Sequence, residues 1–313
     1  MRYIRQEKFI GKNKQKIVQN KTVAIVGLGA LGSVASELLT RAGIKELILI
    51  DRDFIELSNL QRQSIFNEDD INQSKAFVLK DKLNKINKKV IIKAYFDNLD
   101  NLNINILKSD LILDCTDNFE TRFLINEFCV KNKIPFIYGS AIGDSGYLFN
   151  IIPEKICFSC IFKEVKGLDS CETYGVLNSI THLIASLQVS EALKILTKQN
   201  YEENLIYFSL KGNELIKIKV NKNKNCETCV KNIFNYLNGE KNQSIIKFCG
   251  SSTYLFKGNY NLSDSKKKLK KENIALTDKT IHFGNIIIFK DKVLIKARDE
   301  KEAKSLYSKY IGN

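Results

Sequence analysis

With 313 residues, 44% of them apolar, the chain is long enough to bury one large core and still carry a small second domain. No run approaches the roughly 18 apolar residues of a membrane span, and the N-terminal stretch Met1-Arg-Tyr-Ile-Arg-Gln-Glu7 is too charged for a signal peptide, so a cytoplasmic protein is expected. The net charge of +14 invites a nucleic-acid reading, but no recognised nucleic-acid motif accompanies it, and plentiful Lys, Asn and Ile beside two Pro and no Trp point to a compositional bias.

Apolar runs at 22–26, 47–50, 90–95, 110–114 and 135–138 predict strands, and helical-period stretches at 31–42, 71–86 and 119–131 fall between them. That alternation predicts a doubly wound, Rossmann-like α/β sheet. Beyond it the pattern predicts a strand at 147–152, a loop around 157–173, a long helix from Tyr174 to about Lys198, and two strands, 204–210 and 213–220, meeting at Lys211-Gly212. Residues 1–230 are therefore expected to form the main domain. A composition shift near 231 opens a small α+β domain, 231–313, with short strands near 252–257, 286–290 and 293–297 and a closing helix from Glu300 to Tyr310. Residues 232–313 hold 16 Lys and Arg against 8 Asp and Glu, so this domain carries +8 of the total charge.

Five spaced signatures carry the chemistry. Gly27-Leu-Gly29-Ala30-Leu-Gly32 follows the first strand and opens a helix, so its backbone N–H groups can receive a phosphate. Asp51 closes the next strand, the usual place for a carboxylate that accepts ribose hydroxyls, and Asp53 follows it. Those two features suit NAD equally well. Ser58-Asn59-Leu-Gln-Arg62-Gln63, Lys75 and Asp114-Cys-Thr-Asp117-Asn118 do not, because hydride transfer has little need for several cations around a phosphate chain. A reaction that attacks a phosphate and expels pyrophosphate does need them. The plainer alternatives are that Arg62 and Lys75 are solvated surface charges and that Asp117 caps the helix starting near Asn118.

Cys157-Phe-Ser-Cys160 and Cys226-Glu-Thr-Cys229 pair four of the eight cysteines, and two such pairs suit a closed, structural Zn2+ site of four thiolates. Cys115 and Cys129 lie in strand and helix patterns and are expected to be packing residues. Neither His182 nor His282 sits beside a paired carboxylate in a hydrolase or dehydrogenase motif.

Together with Arg2-Tyr-Ile-Arg5-Gln6, the ordered set resembles the ThiF/MoeB/HesA family of adenylyltransferases, relatives of the ubiquitin-activating enzymes, over residues 1 to about 230. The tail, with Phe248-Cys249-Gly250 and Leu306-Tyr-Ser-Lys-Tyr-Ile-Gly312, is similar to the extra C-terminal domain of ThiF-type members in Gram-positive bacteria. The resemblance implies ATP-dependent adenylation of the C-terminal glycine of a small ubiquitin-like sulfur carrier ending in Gly-Gly. The pathway it implies is thiamine thiazole synthesis or, alternatively, molybdopterin synthesis, with a sulfurtransferase or cysteine desulfurase as a further partner. By the match, Arg5, Arg62 and Lys75 contact phosphates, Asn59 hydrogen-bonds them and Asp117 holds Mg2+. Gly27, Gly29, Ala30, Gly32, Asp51, Asp53, Ser58 and Asn118 complete the expected nucleotide-binding set, and Ala30 stands where some relatives have glycine. Arg5 is expected to act across a homodimer interface. Cys171 aligns with the cysteine that can link covalently to the activated carrier in thiamine-pathway members. Three rivals share parts of the pattern: an NAD-dependent oxidoreductase, a tRNA threonylcarbamoyladenosine dehydratase, against which both CxxC pairs weigh, and a non-catalytic carrier-binding scaffold.

Overall fold

The structure is a computed structural model and describes residues 2–163, 174–241, 245–247, 252–258, 260–269, 274–276, 280–290 and 292–311. Two compact units divide it, Met1–Lys241 and Asn242–Asn313. The boundary falls later than the composition shift near 231. The reason is local: the backbone N–H groups of Tyr236 and Leu237 both donate to Glu127, and the Tyr236 ring stacks on Phe123 at 5.5 Å, so this stretch stays with the first unit.

In the first unit, β1 (Thr22–Val26), β2 (Glu46–Asp51), β3 (Ile91–Phe96), β4 (Leu111–Asp114), β5 (Phe136–Ile142), β6 (Ser145–Ile151), β7 (Leu205–Ser209) and β8 (Glu214–Ile218) form one sheet in the order β3-β2-β1-β4-β5-β6-β7-β8. Pairings from β3 through β5 are parallel, and those from β5 through β8 are antiparallel. The central parallel strands β1, β2 and β4 carry unbroken apolar runs, Val23–Val26, Leu47–Ile50 and Leu111–Leu113, because both faces are covered. Val23, Ile25, Leu47 and Leu49 enter one core, and Ala24, Val26, Ile48 and Ile50 enter the other.

Helices α3 (Gly32–Ala42), α4 (Lys75–Ile86) and α6 (Asn178–Leu196) supply the first core. Helix α5 (Phe119–Asn132) supplies the second. Strand order reverses between β1 and β4, and the crevice beyond their C-terminal ends is where doubly wound sheets bind ligands. Two short helices went unanticipated, α1 (Ile4–Ile10) and α2 (Lys12–Val18), separated by Gly11 at φ +88°. Helix α1 buries none of its residues, so it has no apolar stripe for a periodicity argument to find. Among the described residues no helix is long and apolar enough to cross a membrane.

The second unit contains a six-stranded antiparallel sheet in the order β11-β12-β13-β14-β10-β9, with helices α7 (Leu262–Lys268) and α8 (Glu300–Tyr310). Its strands are β9 (Ile245–Lys247), β10 (Thr253–Lys257), β11 (Ile274–Leu276), β12 (Ile281–Phe283), β13 (Ile286–Ile288) and β14 (Lys292–Lys296). The strands expected near 286–290 and 293–297 are β13 and β14, which pair antiparallel. Phe256 stacks on Tyr307 at 4.4 Å, seating α8 on the sheet.

Candidate active site

The glycine loop runs from the end of β1 into α3, and two of its glycines are required by close approach. A Cβ on Gly32 would lie 1.8 Å from the Gly27 carbonyl oxygen, and one on Gly27, at φ +82°, would lie 2.8 Å from the Cys115 carbonyl oxygen. The loop therefore packs tightly on the chain leaving β4. At Gly29 the nearest atom to an added Cβ is Gln63 Nε2, at 3.6 Å. This is the part of the loop with room beside it, and Ala30 adds only a methyl group.

Asp51, expected to accept ribose hydroxyls, also binds backbone N–H groups of its own chain. Its Oδ2 accepts from the Leu28 N–H at 2.6 Å and its Oδ1 from the Asp53 N–H at 2.7 Å, so the carboxylate ties the glycine loop to the end of β2. Burial, then the neighbouring Asp53, push Asp51 up to about 6. The folded chain thus holds a proton on Asp51 that the unfolded chain has released between about pH 4 and 6, and the stability this contributes is lost as pH rises through 6. Asp51→Asn should flatten that slope. Melting temperatures of parent and variant across pH 4–7 test it, and parallel curves would assign the titration elsewhere.

Asp53 reaches Lys75 Nζ at 3.3 Å through Oδ2, while its buried Oδ1 has no hydrogen bond among the described residues. Lys75, the first residue of α4, is 5% exposed. Burial opposes its charge, but Asp53, Asp51 and Asp117 outweigh that and hold the ammonium above its ordinary value. It stays charged at neutral pH. Arg62, half-buried, donates to the Ser58 carbonyl at 2.9 Å, and Ser58 is exposed. Asn59 is 5% exposed, and its Oδ1 accepts from the Glu56 N–H at 3.3 Å. Gln63, quoted in the motif but not assigned a role, is 2% exposed, with an Oε1 that has no hydrogen bond among the described residues. The glycine loop and charged Lys75 suit a polyphosphate, and the buried Asp53 and Gln63 oxygens without hydrogen bonds suit its counter-cation.

Asn118, not Asp117, caps α5, accepting from the Thr121 N–H at 2.8 Å. Asp117 is exposed, and its charge is felt by both Lys75 and Asp114. It is near enough to Lys75 and Asp114 for its charge to act on both, and it is not the cap, which suits a metal ligand. Asp114 is fully buried, and burial raises it above the ordinary carboxylate value. Arg122 and Gln188, both buried beside this turn, were not anticipated. Arg122 had one signal, a cation in the first turns of a helix, where the dipole disfavours it.

The structure does not bring Arg5 to the crevice of its own chain. Helix α1 is anchored by Gln6 to the Ala42 carbonyl and by Arg2 to the Ile86 carbonyl, at the ends of α3 and α4 remote from Gly32 and Lys75. Cys171 and Cys249 lie outside the described residues.

Away from the crevice, the Sγ atoms of Cys157, Cys160, Cys226 and Cys229 all lie within 4.8 Å of one another. Three pairs stand at 3.7, 3.5 and 3.5 Å. Thiolates 2.3 Å from a tetrahedral Zn2+ are about 3.8 Å apart, so the donor set and its spacing fit that ion. Cys129 is fully buried and Cys115 partly so, as packing residues. His182 instead is half-buried, with Nε2 3.0 Å from Ser64 Oγ, and His282 lies exposed on β12.

A ThiF family profile matches residues 3–228. The chain belongs to the ThiF family. The sulfur carrier protein ThiS adenylyltransferase of Bacillus subtilis is 32% identical, aligned over 99% of each chain. The protein of that name from Escherichia coli is 36% identical over 63% of this chain and 81% of its own. The molybdopterin-synthase adenylyltransferase of E. coli is 32% identical over 69% and 89%. Among solved structures, E. coli MccB with ATP shares the fold, with a TM-score of 0.66, 24% identity and 73% of each chain covered. This chain is accordingly a ThiF-type enzyme with the doubly wound architecture of its family.

Proposed function

We propose that this ThiF-type enzyme uses ATP to adenylate the C-terminal glycine carboxylate of a small ubiquitin-like sulfur carrier, and that the carrier serves thiamine thiazole synthesis. The observation that supports the reaction is the glycine loop at the strand reversal beside Lys75, whose ammonium is held charged by Asp53, Asp51 and Asp117, with half-buried Arg62 next in sequence to the Gln63 that neighbours Gly29. The pathway rests on the B. subtilis relative, whose alignment runs through the C-terminal unit, whereas the molybdopterin-synthase relative covers 69% of the chain.

In the proposed step a carrier carboxylate oxygen attacks the α-phosphorus of ATP. The bond from that phosphorus to the bridging oxygen breaks, and pyrophosphate leaves with the electron pair. Backbone N–H groups near Gly29 and at the N-terminus of α3 would face the phosphates. Lys75 and Arg62 would offset the charge that accumulates as two anions meet, and Asp53 holds the Lys75 ammonium in place. Asp117 would hold the Mg2+ that neutralises phosphate oxygens. Arg5 would serve the crevice of a second copy. The exposed Ile4 and Phe9 on α1, a helix that buries nothing in its own chain, support such a homodimer. Cys171 is proposed as the thiol that accepts the carrier from the acyl-adenylate.

The carrier would dock on the strands β6, β7 and β8. Tyr147, Tyr207 and Ile216 stand in register across β6, β7 and β8, and Ile216 and Ile218 are 45% and 40% exposed. The basic C-terminal unit would speed the approach of an acidic carrier.

Carrier-dependent ATP–pyrophosphate exchange, run with each small protein of the source organism that ends in Gly-Gly, tests the proposal. Exchange is expected with the thiamine-pathway carrier. Exchange confined to a molybdopterin-synthase subunit would reassign the pathway, and exchange with none would remove the reaction.

A further inference from the structure

The turn that carries Asp117 is gripped from both faces of the sheet by side chains that the proposed chemistry does not use. From α6 on one face comes Gln188, fully buried. Its Nε2 donates to the Asp114 carbonyl at 3.0 Å and to the Ile137 carbonyl at 3.2 Å, and its Oε1 accepts from Cys115 Sγ at 3.5 Å. It spans β4 and β5 where the two strands part. The insertion depends on Gly139, where an added Cβ would lie 2.4 Å from the Gln188 carboxamide carbon.

From α5 on the other face comes Arg122, 5% exposed. Its guanidinium donates to the Thr116 carbonyl at 2.5 Å and lies 3.8 Å from Asp114 Oδ2. The rings of Phe119 and Tyr138 lie 5.3 and 4.9 Å from its central carbon. Asp114 Oδ1 in turn accepts from the Thr116 N–H at 3.0 Å and from Thr116 Oγ1 at 2.7 Å. Residues 114, 115 and 116 are therefore each held by a buried polar partner, and the next residue, Asp117, is the one left exposed.

Burying a guanidinium, a carboxylate and a carboxamide together is a poor way to gain stability, because apolar residues of similar volume commonly do as well or better. What such a network supplies is a fixed geometry. We propose that Arg122 and Gln188 are positioning residues that clamp the Asp114–Thr116 turn from opposite faces and so aim Asp117 at the metal that accompanies the nucleotide. The proposal rests on the reading of Asp117 as that metal's ligand, and extends it to two buried residues that hold the turn before it.

The experiment is equilibrium binding of ATP to the full chain by titration calorimetry, without carrier, in EDTA and across a Mg2+ series. Removing an outer partner of a metal ligand typically weakens metal affinity by 10- to 100-fold. Gln188→Leu and Arg122→Gln should accordingly raise the Mg2+ concentration for half-maximal enhancement of ATP binding by about tenfold, while affinity in EDTA stays within about twofold of the parent. Arg122→Lys keeps the charge without the planar fork and should fall between parent and Arg122→Gln. A loss equal in EDTA and in Mg2+ would mark both side chains as structural only and overturn the clamp, and so would parental Mg2+ dependence in the variants. Should Arg122→Gln fail to fold, Gln188→Leu decides the outcome. Asp117→Asn serves as the reference: if it keeps parental Mg2+ dependence, the clamp has no target and falls. A parent chain that binds no ATP under any condition would overturn the nucleotide reading itself, a result separable from all of these.

Discussion

Replacing Asp117 with alanine is expected to lower ATP–pyrophosphate exchange by about a thousandfold and leave the melting temperature where it was. A metal held on transferring phosphates is worth several kcal/mol of transition-state stabilisation, and each 1.4 kcal/mol is a factor of about ten in rate. Stability should not follow, because Asp117 is exposed and the α5 cap belongs to its neighbour. Asn118→Ala supplies the contrast. That substitution removes the bond to the Thr121 N–H and should cost about 1 kcal/mol of stability, with a much smaller effect on exchange. The two variants separate a cap from a ligand on adjacent residues. Near-normal exchange by Asp117→Ala would end its proposed role, and a large fall in its melting temperature would mean that the turn itself had collapsed.

The crevice was legible in the sequence because its chemistry is local. A glycine loop between strand and helix, an aspartate at a strand end and an ordered pair of cations each leave a signature within a few residues. What stayed hidden was non-local. Nothing near Asp51 says that its carboxylate is taken up by the Leu28 and Asp53 N–H groups, since the first of these partners lies one βα unit earlier. Gln188 reads as a single polar interruption in an apolar helix, and its role depends on a glycine in β5 and a carbonyl at the end of β4. In the C-terminal unit the hairpin of β13 and β14 was visible through its isoleucine-rich runs, whereas β9, β11 and β12 span three residues each, too short for alternation to register. The apolar period predicts the long helix from Tyr174, but α6 begins at Asn178. Residues 175–177 are instead held to Gly143, whose N–H donates to the Gly175 carbonyl and whose carbonyl accepts from the Leu177 N–H.

The cysteine cluster leads to the other large expected effect. Purified protein should contain about one zinc per chain by elemental analysis, and Cys226→Ser should lower the melting temperature by about 10 °C or more. Cys226 is 3% exposed and Cys157 fully buried, so losing the ion would leave buried thiolates crowded together that must take up protons, with nothing left to join the two segments. The site also joins two segments with little regular structure of their own. The 157–160 knuckle is otherwise fastened by Asn126, which accepts from the Phe158 N–H and donates to Ser159 Oγ, and by Thr228, which donates to the same Ser159 oxygen. Those few bonds are each worth about 1 kcal/mol, against apparent zinc-binding energies of about 10 kcal/mol or more in small structural sites. For a unit of this size about 4 kcal/mol lost corresponds to roughly 8–16 °C. Catalysis per folded molecule should change far less, since no cysteine of the cluster belongs to the glycine loop, the Lys75 pair or the Asp117 turn. Phe158 is the path by which some effect could travel, because its ring lies 5.3 Å from that of Tyr138, which faces Arg122. Chelation should therefore lower thermal stability first and exchange only as the chain unfolds. Metal-free protein that melts at the parental temperature would show that the four thiols pack together without an ion.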